Sequence, residues 1–387
     1  MAKLAVLLTL LALVGSVTCQ GYTGNASPPT PITYPSPPSL SPSTPPTYPP
    51  PSSTPPSLAP VSPSPPGRRF RPAPGPPAPF PSPKPAPTGQ GLSVGYYNKS
   101  GSCPKAEQLV REAVTNATNG PNRGLNAGLI RLHFHDAFVR GCDASVLLDK
   151  TASGNNDTEK TGLPNKDSLR GFEVIDAAKA AVEKECPGIV SCADILAFAA
   201  RDASYILSNE KIYYEVPAGR YDGRESFADE TDQLPGPGSS VQDLKKSFAA
   251  QGLSLADAVT LSGAHSIGLA RCLFFKDRLS AMDPGYAATL NATCNAGGDS
   301  YKVNQDYKSP DVLDNQYYKN IDKFVLFASD AALKSSETID QVNANAGGYG
   351  KWEKDFGDAM VKMGKIDVIT SPGYGAEIRK VCSQINY

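Results

Sequence analysis

Residues 129–136 read Leu-Ile-Arg-Leu-His-Phe-His-Asp and contain two of the three histidines in the chain. They lie in segment 124–138, where apolar residues recur at helical spacing without proline, so the pattern predicts an α-helix. On a helix Arg131 and His135 are four positions apart and share one face. His133 lies about 200° around the axis from His135 and faces elsewhere. The segment therefore predicts a polar Arg/His site inside a core.

Two alternatives accompany this pattern. A single buried histidine is commonly a core residue with satisfied hydrogen bonds, and this interpretation is favoured for His133. Taken alone, His-x-His followed by Asp also occurs in zinc hydrolases. That motif normally lies on a strand, where positions i and i+2 share a face, so the helical context of His135 argues against it.

The third histidine, His265, ends the string Leu-Ser-Gly-Ala-His at 261–265 and is predicted to begin a helix over 265–278. A helix-borne histidine far along the chain from an Arg/His face suits one chemistry well. It can hold a haem iron from one side and leave the other side open.

Composition divides the chain into two parts. The 387 residues carry 37 Lys+Arg against 38 Asp+Glu, a balance that does not suggest nucleic-acid binding or an acidic scaffold. Of the 37 prolines, 27 lie within 21–90. Only 91–387 has enough apolar surface to bury a core.

The N-terminus has the pattern of a secretory signal. Lys3 precedes an apolar run over 4–14 that is too short to span a bilayer, and we expect a signal peptide over 1–19, with an uncleaved anchor as the alternative. Glycosylation sequons agree with export; they begin at Asn25, Asn98, Asn116, Asn156 and Asn291.

Segment 20–89 is predicted to be a disordered extension with polyproline II character. Runs such as Pro-Pro-Pro at 49–51 fix φ and remove backbone donors, so neither a helix nor a sheet ladder forms. Two interpretations stay open: a spacer or glycosylated stalk, and a wall-association segment. The Ser-Pro repeats are similar to those of extensin-like plant cell-wall proteins.

Cysteine arithmetic predicts three disulfides and one unpaired thiol. Removing Cys19 with the signal leaves seven cysteines, an odd number in an exported chain. Their spacings do not decide which cysteines pair. The sequence contains no Cys-x-x-Cys motif, so it does not suggest a zinc site.

Four strings occur together in one order: Arg-Leu-His-Phe-His-Asp at 131–136, Gly-Cys-Asp-Ala-Ser at 141–145, Ser-Cys-Ala-Asp at 191–194 and Leu-Ser-Gly-Ala-His at 261–265. With them the chain resembles the secretory plant (class III) haem peroxidases, from about residue 90 to residue 382. The resemblance implies a mostly α, two-lobed domain over 90–387, with haem between a distal and a proximal lobe.

The resemblance also implies roles for single residues. His265 would be the axial ligand of one haem b, and Asp330 would accept its ring N–H. His135 would be the distal base and then acid for hydrogen peroxide. Arg131 would stabilise the developing negative charge, and Asn165 would orient His135.

Further implied sites are a donor site and two Ca²⁺ sites per chain. Phe134 and Pro217 would contact the donor. The distal calcium ligands would be Asp136, Val139, Gly141, Asp143, Ser145 and Glu159. The proximal calcium ligands would be Ser266, Asp306, Ser309, Val312 and Asp314. For Asp306 and Asp314, capping of a turn is the alternative.

The implied disulfides are Cys103–Cys186, Cys192–Cys382 and Cys272–Cys294. Ala137 departs from the family pattern, which places a cysteine there, and it leaves Cys142 unpaired. Loss of that small loop's bridge removes a constraint worth roughly 2–3 kcal/mol. It also puts the distal calcium site in doubt, and Cys142 is either a free thiol or paired between chains.

The implied function is an exported monomeric oxidoreductase. It would reduce hydrogen peroxide and oxidise phenolic donors in two one-electron steps in the plant cell wall, in cross-linking, lignification or defence. The proline-rich segment would contact wall polysaccharide or structural proteins. The rival hypothesis is a structural wall glycoprotein whose globular part only binds, and it predicts that loss of His135 leaves the protein's role unchanged.

Overall fold

The structure is a computed structural model that describes residues 82–348 and 350–387. The predicted signal peptide and residues 20–81 of the predicted extension lie outside the described residues. The described part is mostly helical, with six short strands. None of its helices combines the length and the apolar character that crossing a membrane requires.

The α-helices of the described residues are α1 Tyr96–Lys99, α2 Ala106–Thr118, α3 Leu125–Ala137, α4 Phe172–Glu185, α5 Cys192–Leu207, α6 Val241–Ala250, α7 Leu255–Ser262, α8 Pro284–Gly297, α9 Gln316–Asn320, α10 Ala328–Ala332, α11 Ile339–Gly347 and α12 Lys351–Met363. The strands form three antiparallel pairs: β1 Ser93–Val94 with β2 Pro217–Ala218, β3 Asp222–Gly223 with β6 Ala376–Glu377, and β4 Leu269–Arg271 with β5 Lys302–Asn304.

The first helices form one packed group. Helix α3 packs against α5, and α2 packs against α4 and α5. Almost every residue of α5 is buried, because its sequence is rich in alanine and other apolar residues and its charged groups, Asp194, Arg201 and Asp202, form ion pairs. Ser191 begins this helix by accepting the backbone N–H of Asp194 at 3.1 Å. These contacts fix the helix that carries Arg131 and His135.

A second group surrounds α7, which packs against α6, α11 and α12. Ser254 and Asp257 form a capping box at its start, each accepting the other's backbone N–H. The helix ends directly before the 3₁₀ turn Gly263–Ser266. His265 therefore lies on a turn whose position is set by a capped, packed helix.

The predicted helix over 265–278 is wrong. Gly268 has φ +93°, a left-handed conformation that interrupts a right-handed helix. Residues 269–271 instead pair with β5, and short 3₁₀ turns follow. The same sequence patterns also predict helices over 105–118, 170–185, 192–207, 241–250, 315–327 and 349–364. Each of these segments contains a helix, which in 315–327 is shortened to α9, whereas α1, α7, α8, α10 and α11 were not predicted.

The last residues of the proline-rich segment pack on the helical domain. The Lys84 backbone N–H donates to the Ala249 carbonyl at 2.9 Å, and its ammonium pairs with Asp367. A side chain at Gly252 would collide with the Pro85 carbonyl, 2.1 Å from the Cβ position. Residues 82–89 are therefore attached to the domain surface.

Three disulfides link Cys103 to Cys186, Cys192 to Cys382, and Cys272 to Cys294, in the pairing that the resemblance implies. Among the described residues Cys142 is the free cysteine, as the odd count predicts. Its thiol is buried 3.3 Å from the Met363 carbonyl, and burial raises its pKa. A buried, protonated thiol is unreactive, which agrees better with a free thiol than with a bridge between chains.

Candidate active site

Helix α3 presents the first half of the site. His135 is buried, and its Nδ1 lies 2.5 Å from the side-chain oxygen of Asn165. The Asn165 amide nitrogen in turn donates to the Glu159 carbonyl at 2.9 Å. Because the amide oxygen accepts, Nδ1 of His135 carries the hydrogen and Nε2 keeps a free lone pair. The ring is oriented as a base.

The protonation state of His135 follows from its surroundings. Burial lowers its pKa well below the ordinary value, and the charge of Arg131 lowers it further. The hydrogen bond to Asn165 acts in the opposite direction but does not compensate. The imidazole is therefore neutral at physiological pH and able to accept a proton.

Arg131 lies on the same face of α3, as predicted. Its Nη2 donates to the Pro164 carbonyl and to the Ser168 hydroxyl, both at 3.2 Å. The residue is exposed to solvent, although neighbouring protein removes part of the water around its guanidinium. Burial lowers its pKa to about 10, with smaller contributions from Arg170 and Arg271. It remains a cation at neutral pH and can stabilise an anion beside His135.

His133 faces another side of α3, as its spacing predicts. It is buried, and burial together with the charge of Arg220 lowers its pKa to about 3. Its Nδ1 has no hydrogen-bond partner among the described residues, so it is a core residue but an incompletely satisfied one. His133 and His135 do not share a metal ligand face, contrary to the zinc interpretation.

The two residues predicted to contact the donor lie in different places. Phe134 is half-buried, and its ring meets that of His135 edge-on, with centroids 5.6 Å apart. Pro217 begins β2 and lines a small cavity with His133 and Arg220. Phe134 thus borders the base directly, and a donor contact for Pro217 stays a prediction.

His265 forms the second half of the site. Its Nδ1 lies 2.8 Å from a carboxylate oxygen of Asp330, in α10. The Tyr317 hydroxyl donates to the same oxygen at 2.8 Å. The side chain of His265 is 37% exposed, so the ring is fixed at Nδ1 and accessible elsewhere. An imidazole whose N–H donates to a carboxylate is a more basic metal ligand.

The turn that carries His265 lies beside the helix and the loop that position His135. Arg271, six residues after His265, donates to the Asp167 carbonyl at 2.5 Å. The Cβ position of Gly268 lies 3.8 Å from Ala127 at the start of α3. The turn that bears His265 therefore adjoins both α3 and the loop that bears Asn165.

The predicted distal calcium residues form a buried acidic group. Asp136 accepts the backbone N–H of Ala144 at 3.0 Å, and Asp143 accepts that of Ser145 at 3.0 Å. Glu159 has no exposed surface, and neither of its carboxylate oxygens has a hydrogen-bond partner among the described residues. The Ser145 hydroxyl is also without a partner there.

Burial raises the pKa of all three acids, to about 6 for Asp143 and well above the ordinary range for Asp136 and Glu159. The charge of Asp143 also raises the pKa of Asp136, and the charges of Asp136 and Asp143 raise the pKa of Glu159. Val139 and Gly141, the predicted carbonyl ligands, lie between these acids in the chain. No cluster of three or more His, Cys, Asp or Glu suited to a metal occurs in the described ranges. A mixed set of carboxylate, hydroxyl and carbonyl oxygens nevertheless fits a hard cation.

The predicted proximal calcium residues also come together, but their side chains are hydrogen-bonded. Asp306 accepts the backbone N–H groups of residues 308 and 309 at 2.6 and 2.8 Å. The Ser309 hydroxyl donates to Asp314 at 3.1 Å, and Ser266 accepts the Asp314 N–H at 3.2 Å. Val312 lies in the same loop. Asp306 therefore caps a turn in the described chain, and its role as a calcium ligand stays a prediction.

Sequence reasoning missed some site residues. Tyr317 shares the oxygen of Asp330 with His265, and no spacing or motif signals that contact. Arg170 and Arg271 lie near Arg131, and their positive charges lower the pKa of its guanidinium. For Arg271 a signal existed, since it follows the string ending at His265 by six positions.

Comparisons with known proteins point in one direction. A family model described as peroxidase matches residues 107–347. "Peroxidase 2" of Zea mays is 48% identical over 306 residues, which cover 76% of this chain and 90% of that protein. "Peroxidase 36" of Arabidopsis thaliana is 42% identical over 311 residues, covering 76% and 88%. The "Lignin-forming anionic peroxidase" of Nicotiana sylvestris is 43% identical over 304 residues, covering 76% and 91%.

Proposed function

The chain belongs to the peroxidase family, and from that premise we propose that it uses hydrogen peroxide to oxidise phenolic donors in the plant cell wall. One observation carries the proposal. Each of the two site histidines has its Nδ1 held by a separate side-chain oxygen, Asn165 for His135 and Asp330 for His265. Both rings are thereby left with an available Nε2, one for a proton and one for a metal.

The residues present fit one haem b. His265 would be its axial ligand, because its ring is fixed by Asp330 and partly accessible. When bound, haem supplies an iron that takes up the oxidising equivalents of peroxide and returns them to donors one electron at a time. Overall, one hydrogen peroxide and two phenols give two waters and two phenoxyl radicals, each phenol losing one electron and one proton.

The distal residues move the protons of this reaction. Nε2 of His135 accepts a proton from one peroxide oxygen and delivers it to the other, which leaves as water. Asn165 holds the ring in the tautomer that allows this. Arg131 stabilises the negative charge that grows on the departing oxygen, since it is a cation at the same face of α3.

The proximal residues set the character of the metal ligand. Asp330 accepts hydrogen bonds from both His265 and Tyr317, so its position is determined by two partners. Its negative charge next to the imidazole increases the electron density that the ring offers to iron. This role is electronic and positional, and it does not require Asp330 to exchange protons.

Calcium ions at two sites complete the proposal. The distal site is supported by Glu159, whose buried oxygens lack partners, and by the mutual repulsion of Asp136 and Asp143. A bound cation would remove both penalties. The proximal set, Asp306 and Asp314 among them, needs some of its present hydrogen bonds exchanged for metal bonds.

Location and partners follow from the family and the sequence. The predicted signal over 1–19 and the sequons favour export, and the lignin-forming relative favours a role among wall phenols. The proline-rich segment would contact wall polysaccharide or structural proteins. Nothing in the proposed chemistry needs a second subunit, so we propose a monomer.

The test is reconstitution of the full chain with hemin and Ca²⁺. We expect a Soret band, oxidation of guaiacol, and at least a hundredfold slower reaction with peroxide in His135→Ala. Asn126→Ala is the control, because Asn126 is a buried residue of α3 without hydrogen-bond partners in the described structure. Failure to bind haem, or full turnover by His135→Ala, contradicts the proposal.

A further inference from the structure

The end of the proline-rich segment lies against the turn that connects α6 to α7. We call residues 84–89 the strap. The Lys84 backbone N–H donates to the Ala249 carbonyl at 2.9 Å. The Cβ position of Gly252 is only 2.1 Å from the Pro85 carbonyl, so the backbone of the turn and the backbone of the strap are in direct contact.

The strap also lies against the segment that follows α12. Its Lys84 ammonium pairs with Asp367, and the Cβ position of Gly89 is 2.6 Å from the Lys365 side chain. Gly89 is buried, whereas Lys84 is exposed. Because an ion pair between exposed groups contributes little to stability, the backbone contacts hold most of the strap. The strap therefore joins two segments that are remote in sequence.

These two segments also hold the distal loop, residues 138–142, which follows α3. The Gln251 side chain donates to the Phe138 carbonyl at 3.0 Å. The Cys142 backbone N–H donates to the Ile366 carbonyl, also at 3.0 Å. One hydrogen bond thus comes from each segment that the strap joins, so the strap can keep both segments on the loop.

The distal loop lacks the bridge that the family pattern places across it, because residue 137 is alanine. It contacts the strap's partner instead, since the Cβ position of Gly141 is 2.7 Å from the Asp367 side chain. Asp367 has φ +43°, a left-handed conformation that costs a residue other than glycine free energy and persists where neighbours fix it. Lys84 and Gly141 are such neighbours, one from the strap and one from the loop.

We propose that the strap fixes the distal loop in place of the missing disulfide, by joining the α6–α7 turn to the segment after α12. The surface formed by these two segments therefore binds the end of the chain's own proline-rich extension. Loss of the strap loosens the loop that directly follows the helix of His135. This inference does not depend on the proposed function, and its test uses neither peroxide nor a donor.

The reactivity of Cys142 in the folded protein measures opening of the distal loop, because its thiol is buried and is reached only when the loop moves. The full-length protein is folded with hemin and Ca²⁺ and treated with a maleimide. Labelling of the peptide that contains Cys142 is then followed by mass spectrometry.

Two substitutions at Lys84 separate the backbone contact from the charge. Lys84→Pro removes the backbone donor and suits a polyproline segment. We expect it to accelerate the labelling of Cys142 about fivefold, because one net hydrogen bond is lost. Lys84→Gln keeps that donor and should change the labelling rate less than about twofold.

Two further variants serve as controls. Ser82→Pro makes the same kind of change two positions earlier, where the backbone N–H donates to no described residue. Asp283→Ala removes the N-cap of α8, which packs in a separate apolar cluster, and should lower the melting temperature. Neither variant should accelerate the labelling of Cys142.

A second measurement tests whether the strap replaces the disulfide. In Ala137→Cys the bridge to Cys142 should fix the distal loop covalently. Hydrogen exchange at the amides of 138–142 should then respond to Lys84→Pro less than about twofold, against about fivefold when residue 137 is alanine.

Three results would overturn the inference. Unchanged labelling of Cys142 in Lys84→Pro would make the strap a passive attachment. Equal acceleration by Ser82→Pro or Asp283→Ala would assign the effect to general destabilisation. Equal effects of Lys84→Pro on hydrogen exchange with and without the bridge would show that the strap does not replace it.

Discussion

Replacing Asn165 tests how far the orientation of the base governs the chemistry. The Asn165→Ala change removes the acceptor of the His135 N–H and the donor to the Glu159 carbonyl. The change leaves the His135 N–H and the Glu159 carbonyl buried without this partner, and each such group costs about 1–3 kcal/mol. We therefore expect the free energy of unfolding to fall by about 2–6 kcal/mol.

Asn165→Ala should slow catalysis more than it weakens the binding of substrate. Without the amide, nothing in the described structure selects the tautomer with a free Nε2, and the ring of His135 can turn. General acid–base catalysis contributes about 10²–10⁴-fold, of which misorientation removes a part. We expect the second-order rate constant with hydrogen peroxide to fall about ten- to a hundredfold, measured by stopped-flow absorbance in the Soret region.

A second variant separates orientation from charge. Asn165→Asp keeps an acceptor for the His135 N–H but places a negative charge beside the ring, which raises the pKa of His135. In wild type this pKa is well below its ordinary value, so the rate constant should stay level from pH 8 to well below pH 6.5. In Asn165→Asp the loss on acidification should begin at higher pH. An Asn165→Ala enzyme within twofold of wild type across this range would refute the reasoning.

Three further predictions concern stability. Ala137→Cys should form a disulfide with Cys142, abolish the free thiol in a denatured-state thiol assay, and raise the free energy of unfolding by about 2 kcal/mol; an unchanged thiol count would contradict it. Chelation of calcium should lower the melting temperature of wild type, and the shift should shrink in Glu159→Gln; equal shifts in both would remove Glu159 from the site. Asp194→Asn should cost about 3–5 kcal/mol in chemical denaturation, because it removes the negative charge that lies 2.6 Å from the buried guanidinium of Arg220 and neutralises it; a cost below 1 kcal/mol would disprove that dependence.

Helices with strong local patterns were predictable. The apolar periodicity around Arg131 and His135 placed α3 within one residue of each end and put the two side chains on one face. The segment after His265 was not predictable in this way. Its apolar residues suit a helix, but Gly268 and pairing with the distant β5 make it a strand. Partners remote in sequence override local propensity there.

The site residues also divide into those that local sequence predicts and those that only tertiary packing determines. The residue types and the helix face follow from short-range order, because side chains three or four positions apart are neighbours on any helix. Asn165 and Asp330 lie 30 and 65 positions from the histidines they orient, and only the resemblance to a family could suggest them beforehand. Their distances, and the role of Tyr317, come from packing.

From the order of amino acids alone come the exported character expected of the chain, its proline-rich extension, the odd cysteine and the Arg/His face. These depend on composition, counting and periodicity, which are local properties. Only the folded structure shows three further features. The Glu159 carboxylate lacks a hydrogen-bond partner among the described residues, Cys142 is buried, and Arg170 and Arg271 lie close enough to Arg131 to lower its pKa. Burial and charge clustering depend on what surrounds a group in space, and those neighbours come from segments that no local pattern connects.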